Sequence, residues 1–169
     1  MKKRYYVLSV AAVLVAALIV FGIVSNTSRR AIKIEENRIS LFVDAYGSAL
    51  EYLADKSRLP EYSSAWLYGL GLQRDLSQSG IEELARKLNA AYPQHTFSVP
   101  DYSEWLNEKS LESNSATIHF GTFEKHKGFN QVQLYVMVNA NHMDVVMSYT
   151  FKNGVWVLVS AEFAQVAIF

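Results

Sequence analysis

Four histidines, His95, His119, His126 and His142, are the side chains best suited to move a proton or hold a metal near neutral pH. No two stand at the spacing that would put paired imidazoles on one helix face. No His-Glu-x-x-His run occurs either, so the pattern points away from a metal centre. His119, His142 and Asp144 fall in segments that read as strands or strand edges. If those strands were neighbours, Asp144 could orient His119 as a base; a water-facing sheet surface accounts for the same residues equally well. Gly69-Leu70-Gly71 is not a phosphate-binding loop, because the third glycine and a preceding strand are both missing from the reading. Nucleophile-elbow and P-loop patterns are absent. The chain has no cysteine, which removes thiolate nucleophiles, thiolate metal sites, disulfides and lipid attachment through a lipobox or CaaX cysteine. No catalytic residue is assigned, and no cofactor is expected.

Aromatic side chains with polar tips offer a different chemistry. Trp66, Tyr68, Trp105, Tyr135 and Tyr149 could line an apolar pocket holding a few hydrogen bonds, with His119 and Asp144 beside them. Core packing explains the same aromatics without any ligand.

Charge narrows the partners. The 16 basic and 16 acidic residues balance; without Lys2, Lys3 and Arg4 the remainder is about −3. This is not the basic footprint of a nucleic-acid binder, and no nucleic-acid partner is expected.

Tyr5–Val24 is charge-free and follows Met1-Lys2-Lys3-Arg4. As a helix this run is about 30 Å long, the thickness of a bilayer's hydrocarbon core. A signal peptide has a shorter apolar region of about 7–15 residues, and Ile23-Val24-Ser25 puts a bulky Ile where cleavage prefers a small residue. A buried core helix does not fit a run apolar on every face. The expectation is an uncleaved single-pass anchor in the cell membrane, with residues 5–24 in the lipid. Arg29, Arg30 and Lys33 nearly balance the N-terminal cations across the run, so the positive-inside count is close. The short charged tail directly abutting the apolar run favours the N-terminus inside and the rest of the chain outside the cytoplasm. The expected division is residues 1–28 as tail and anchor and 29–169 as one domain. Eight of nine Phe, eight of ten Tyr and all three Trp lie in the latter, enough apolar surface to fold.

Positioning those side chains requires helices first and strands last. From Ala31 to Lys56, Ile39, Phe42, Val43, Tyr46, Ala49, Leu50 and Leu53 recur at three- and four-residue spacing, predicting an amphipathic helix. No Gly or Pro occurs between Ile23 and Tyr46, so the anchor runs into this helix with at most a bend at Ser25–Ser28. Residues 60–73 suggest a short helix or turn. Ser79-Gly80-Ile81-Glu82 matches a capping box ahead of an Ile81, Leu84, Ala85, Leu88 stripe. His95–Val99 suits a short strand, and Asp101–Glu104 could cap a short helix carrying Trp105. Four strands follow, Thr117–Glu124, Phe129–Asn139, Met143–Lys152 and Val155–Val166. Asn153-Gly154 makes a type I′ hairpin turn between the last two. The predicted fold class is α+β: an N-terminal transmembrane helix, then helices packed on a mostly antiparallel four-stranded sheet. The chain closes on apolar Val166-Ala167-Ile168-Phe169. That ending reads as a strand tied into the core or as an edge that accepts a partner strand.

Tyr149-Thr150-Phe151-Lys152-Asn153-Gly154-Val155-Trp156-Val157-Leu158, an aromatic strand, polar turn, Trp and apolar strand, resembles the closing hairpin of the NTF2-like (cystatin-like α+β cone) superfamily. The resemblance implies a conical pocket between helices and sheet. It implies no single activity, because members include enzymes, ligand binders and membrane-anchored assembly factors. The hairpin that usually precedes the third helix of the cone is not evident, and residues 60–100 are hard to align with the family. A type IV pilin-like protein also leads from an apolar helix to an antiparallel sheet. It would need a Gly before the apolar run and a Glu just inside it, and neither is present. The leading expectation is therefore an extracytoplasmic domain that binds another protein, without catalysis. The alternative is a tethered small-molecule binder or enzyme of the NTF2-like kind.

Overall fold

The computed structural model describes residues 2–100, 115–123, 130–138 and 141–164, with residues 2–25, 123, 130, 141 and 142 as backbone alone. Contacts divide the chain into Met1–Glu36 and Asn37–Phe169. The first unit is helical from Lys2 onward, as the start of α1 (Lys2–Asp55). Among the described residues no helix is long and apolar enough to cross a membrane. The charge-free run Tyr5–Val24 lies where only the helical backbone is described.

The second unit is α+β. It contains the end of α1, then β1 (Ser64–Leu67), α2 (Leu70–Asp75), α3 (Gln78–Ala91) and β2 (Thr96–Ser98). The strands β3 (Ser115–Phe123), β4 (Asn130–Val138), β5 (Asn141–Lys152) and β6 (Val155–Phe163) complete it. The predicted four-strand meander is present, but the sheet is larger. Six strands run in the order β2-β1-β3-β4-β5-β6. β3 to β6 pair antiparallel, whereas β1 pairs parallel with both β2 and β3. The expectation of four mostly antiparallel strands is thus corrected to a mixed six-stranded sheet. The physical reason is the α2–α3 crossover: a helical connection returns the chain to the same end of the sheet, so β1 and β2 must run parallel.

Residues 60–73 were expected as a helix or turn. They instead hold β1 followed by the start of α2, so a strand does precede Gly69-Leu70-Gly71. α3 is capped by Ser77, whose hydroxyl accepts from the Gly80 amide at 3.1 Å, and not by Ser79. Gly80 at the third position has no side chain to reach back, so no capping box forms. The predicted stripe of Ile81, Leu84, Ala85 and Leu88 is buried.

One sheet face carries the core. Ala116, Ile118 and Phe120 of β3, Val132, Leu134 and Val136 of β4, and Val145, Met147 and Tyr149 of β5 are buried there. Their alternation follows the two-residue period of a strand. α1 covers this face through Ile39, Phe42, Ala45, Tyr46, Ala49 and Leu53. Its Phe42 ring lies 5.0 Å from Phe120, and the Trp156 indole donates to the Asn37 carbonyl at 3.0 Å. α1 also meets the other helices. Arg38 donates to the Asp75 carbonyl at 2.8 Å, and the Tyr46 and Tyr92 rings make an edge contact at 4.8 Å. The Asn153-Gly154 turn is formed, with φ of 52° and 84°, the left-handed values that its two residues tolerate.

Candidate functional site

The strand register decides which of the expected site residues meet. Tyr68 follows β1 and donates its amide to the Ile118 carbonyl at 3.0 Å. His119 pairs with Tyr135, and Tyr135 with Asp144. Tyr68, His119, Tyr135 and Asp144 therefore form one row across the face opposite the helices. The His119 ring is wedged between two tyrosines, edge-on to Tyr68 at 5.8 Å and to Tyr135 at 5.6 Å. Asp144 accepts from the Gln133 carboxamide at 2.5 Å. Trp66 stands one step along, opposite Thr117. Tyr149 is not on this face: it is buried in the core, its hydroxyl near the Met147 sulfur at 3.9 Å. Trp105 lies outside the described residues, as do the cap at 101–104, His126 and the closing residues 166–169.

The expected His119–Asp144 pairing does not form. β4 separates their strands, which places the two backbones about 10 Å apart at two strand spacings, and Tyr135 occupies the space between. Burial pushes the His119 imidazole below its ordinary pKa, so the ring is neutral at neutral pH. The row is an aromatic strip with one neutral imidazole and a hydrogen-bonded carboxylate at its end, without an oriented base. Among the described residues no cluster of His, Asp and Glu could hold a metal ion.

The glycines beside this strip have a steric role. A Cβ at Gly69, where φ is +132°, would stand 2.7 Å from His119 Nδ1. A Cβ at Gly71 would stand 2.3 Å from the Phe120 carbonyl oxygen. The Gly-Leu-Gly sequence thus lets α2 touch the backbone of β3 and leaves no room for a phosphate at Gly71. A cleft of about 240 Å³ opens beside Gly69, lined by Tyr68, Leu72, Gln73, Gln78, Ile81 and Val99 among others. Among the described residues of the expected lining, Tyr68 alone reaches it.

Two features went unread in the sequence. Asp75 is buried and tied to three elements. Its carboxylate takes the Arg74 guanidinium at 3.2 Å and the Thr122 hydroxyl, and lies 4.0 Å from Arg38. Arg74 also donates to the Thr122 carbonyl at 2.6 Å. Nothing in the local sequence marks this clasp, since Thr122 is distant in the chain. The second feature is the outer edge of the sheet. On β6 and the end of β5, Phe151, Val155, Val157, Leu158 and Val159 are exposed, Val155 by 59% and Val159 by 52%. A signal was available here: no charge occurs between Lys152 and Glu162.

No family model, no curated protein and no solved structure matches this chain.

Proposed function

We propose that this chain is a single-pass membrane protein whose extracytoplasmic α+β domain binds protein through the outer edge of its sheet and carries out no catalysis. The observation behind this reading is the exposed apolar strand Val155–Val159 at the sheet edge. Edge strands in soluble proteins are usually blunted by charge, proline or cover, because they offer unpaired backbone groups to any passing strand. This one has no charge or proline from Val155 to Ala161. The anchor at residues 5–24 is the second half of the proposal, supported by its length and lack of charge. The resemblance to the membrane-anchored members of the NTF2-like superfamily fits the same reading.

The test is photocrosslinking in intact cells, with a photoreactive residue at Val155 or Val159 and, for comparison, at exposed Leu70. Protein adducts from the β6 positions and none from Leu70, all in the membrane fraction, are the expected result. The reading fails if β6 yields no adduct.

The cleft beside Tyr68 favours the alternative, a tethered binder of a small molecule. Its two glutamines and one phenol among apolar walls suit a compact, partly polar ligand. Retention of such a molecule by purified protein, lost in Leu72→Trp, would move the assignment to the cleft.

A further inference from the structure

The sheet ends in two edges, and they are not alike. β6 closes one side and β2 the other. In the two-residue hairpin around Asn153-Gly154, Lys152 and Val155 exchange backbone bonds, and bonded and non-bonded pairs alternate from there. Trp156, opposite Phe151, and Leu158, opposite Tyr149, therefore turn their N–H and C=O groups away from β5. They face outward, as the groups of a strand that accepts a neighbour must.

β2 is built the other way. The Thr96 amide donates to the Ser63 carbonyl at 2.8 Å, toward β1. Alternate residues of a parallel strand face the same side, so Phe97 turns its N–H and C=O away from β1. One side chain takes both. The Phe97 amide donates to Asn89 Oδ1 at 2.8 Å, and Asn89 Nδ2 donates to the Phe97 carbonyl at 2.8 Å. From the last turn of α3, the Asn89 carboxamide thus offers the donor and the acceptor that the peptide groups of an adjoining strand would offer. Asparagine is an indifferent helix former, and these two bonds account for its place there. The flanks add to the closure: the His95 amide donates to the Tyr92 carbonyl at 3.0 Å, and Pro100 has no N–H.

We propose that Asn89 is a plug that closes the β2 edge to strand addition, so that any strand partner must join at β6. The inference rests on the interaction reading above for where a strand binds, and adds where none can. A sheet open at both edges can add copies head to tail without end, whereas a sheet open at one edge stops at a single partner. Closure of β2 is what lets this chain keep an apolar β6 edge open without forming open-ended assemblies.

Hydrogen exchange of the full-length protein in detergent, followed amide by amide, reads the plug directly. The Phe97 amide should exchange about a hundredfold or more slowly than in an unfolded chain, although it lies at a sheet edge. Asn89→Ala should speed that exchange by about tenfold or more and leave the Thr96 amide unchanged. A second measurement needs no change at Asn89. In intact cells a photoreactive residue at exposed Ser98 should give no protein adduct where one at Val155 does. Phe97 exchanging at the unfolded rate, or Ser98 adducts as abundant as those from Val155, overturns the proposal whether or not Asn89→Ala folds. So does a folded Asn89→Ala protein in which Phe97 stays as slow as before. If neither Val155 nor Ser98 gives an adduct while Phe97 is slow through Asn89, the β2 edge is closed as proposed and the interaction reading alone falls.

Discussion

Gly71 and Gly47 are both crowded, but by different atoms. A Cβ at Gly71 meets a backbone carbonyl, and one at Gly47 meets the hydroxyl at the tip of the Tyr92 side chain. A ring can swing away where a strand cannot. Gly71→Ala should therefore lose about 1–3 kcal/mol in urea denaturation, and Gly47→Ala distinctly less. Equal losses would show that α2 does not lean on β3 as closely as described. His119 gives a pH signature at the same scale. Its imidazole titrates below the ordinary 6.5 because burial disfavours the charged ring. Above that value the ring is neutral whether the chain is folded or not, and it contributes nothing. As pH falls below 6.5 the unfolded chain takes the proton first, so stability declines until the folded ring also titrates. His119→Gln should flatten the acid side of a plot of melting temperature against pH; an unchanged slope would mean that the ring is solvated. His119 and Asp144 also show where residue types mislead. Both could be read as chemically capable, but only the strand order shows Tyr135 between them.

At the scale of elements, what was legible was what is local. The period-two alternation of Val132, Leu134, Val136 and Val138 identified β4 and its buried face, and Asn153-Gly154 identified the final hairpin, because each signal lies within a few residues. β1 was not legible. Four residues, Ser64-Ala65-Trp66-Leu67, are too few to show a period, and their partners Thr96–Ser98 and Ser115–Ile118 lie far along the chain. The α3 cap was misplaced by two residues for a related reason: Ser77 and Ser79 stand two residues apart, either could cap by type, and only geometry selects Ser77. The hairpin is testable directly. Asn153→Val or Gly154→Val forces a β-branched side chain to positive φ and should lower thermal stability, while Asn153→Gly should not. The Asp75 clasp is testable through Thr122→Val. That change removes the hydroxyl donor from a buried carboxylate and should cost about 1–3 kcal/mol, read by denaturant titration. A neutral result would mean that Arg74 and Arg38 suffice.

For the whole molecule, alkaline pH probes how tightly the helices close on the sheet. Burial pushes the Tyr62 and Tyr149 phenols up to about 12, and the Tyr46 phenol higher still. The Tyr46 and Tyr62 hydroxyls meet at 2.5 Å, with His95 stacked on Tyr62 at 4.5 Å. A raised pKa gives stability that is fully present below the ordinary value of 10 and lost as pH climbs through 12. Unfolding should therefore begin above pH 10, and Tyr149→Phe should shallow that decline in circular dichroism melts. The sheet order has a consequence for synthesis. A chain made from its N-terminus presents Ile39, Phe42, Tyr46 and Leu53 long before the strands that cover them, and β1 emerges before β3 exists to receive it. Until residue 164 has cleared the ribosome, half a core waits uncovered, and contacts between such distant segments are the slow ones to form. A nascent chain halted after Pro100 should be cut readily by protease along its amphipathic helix, and one released at full length should resist.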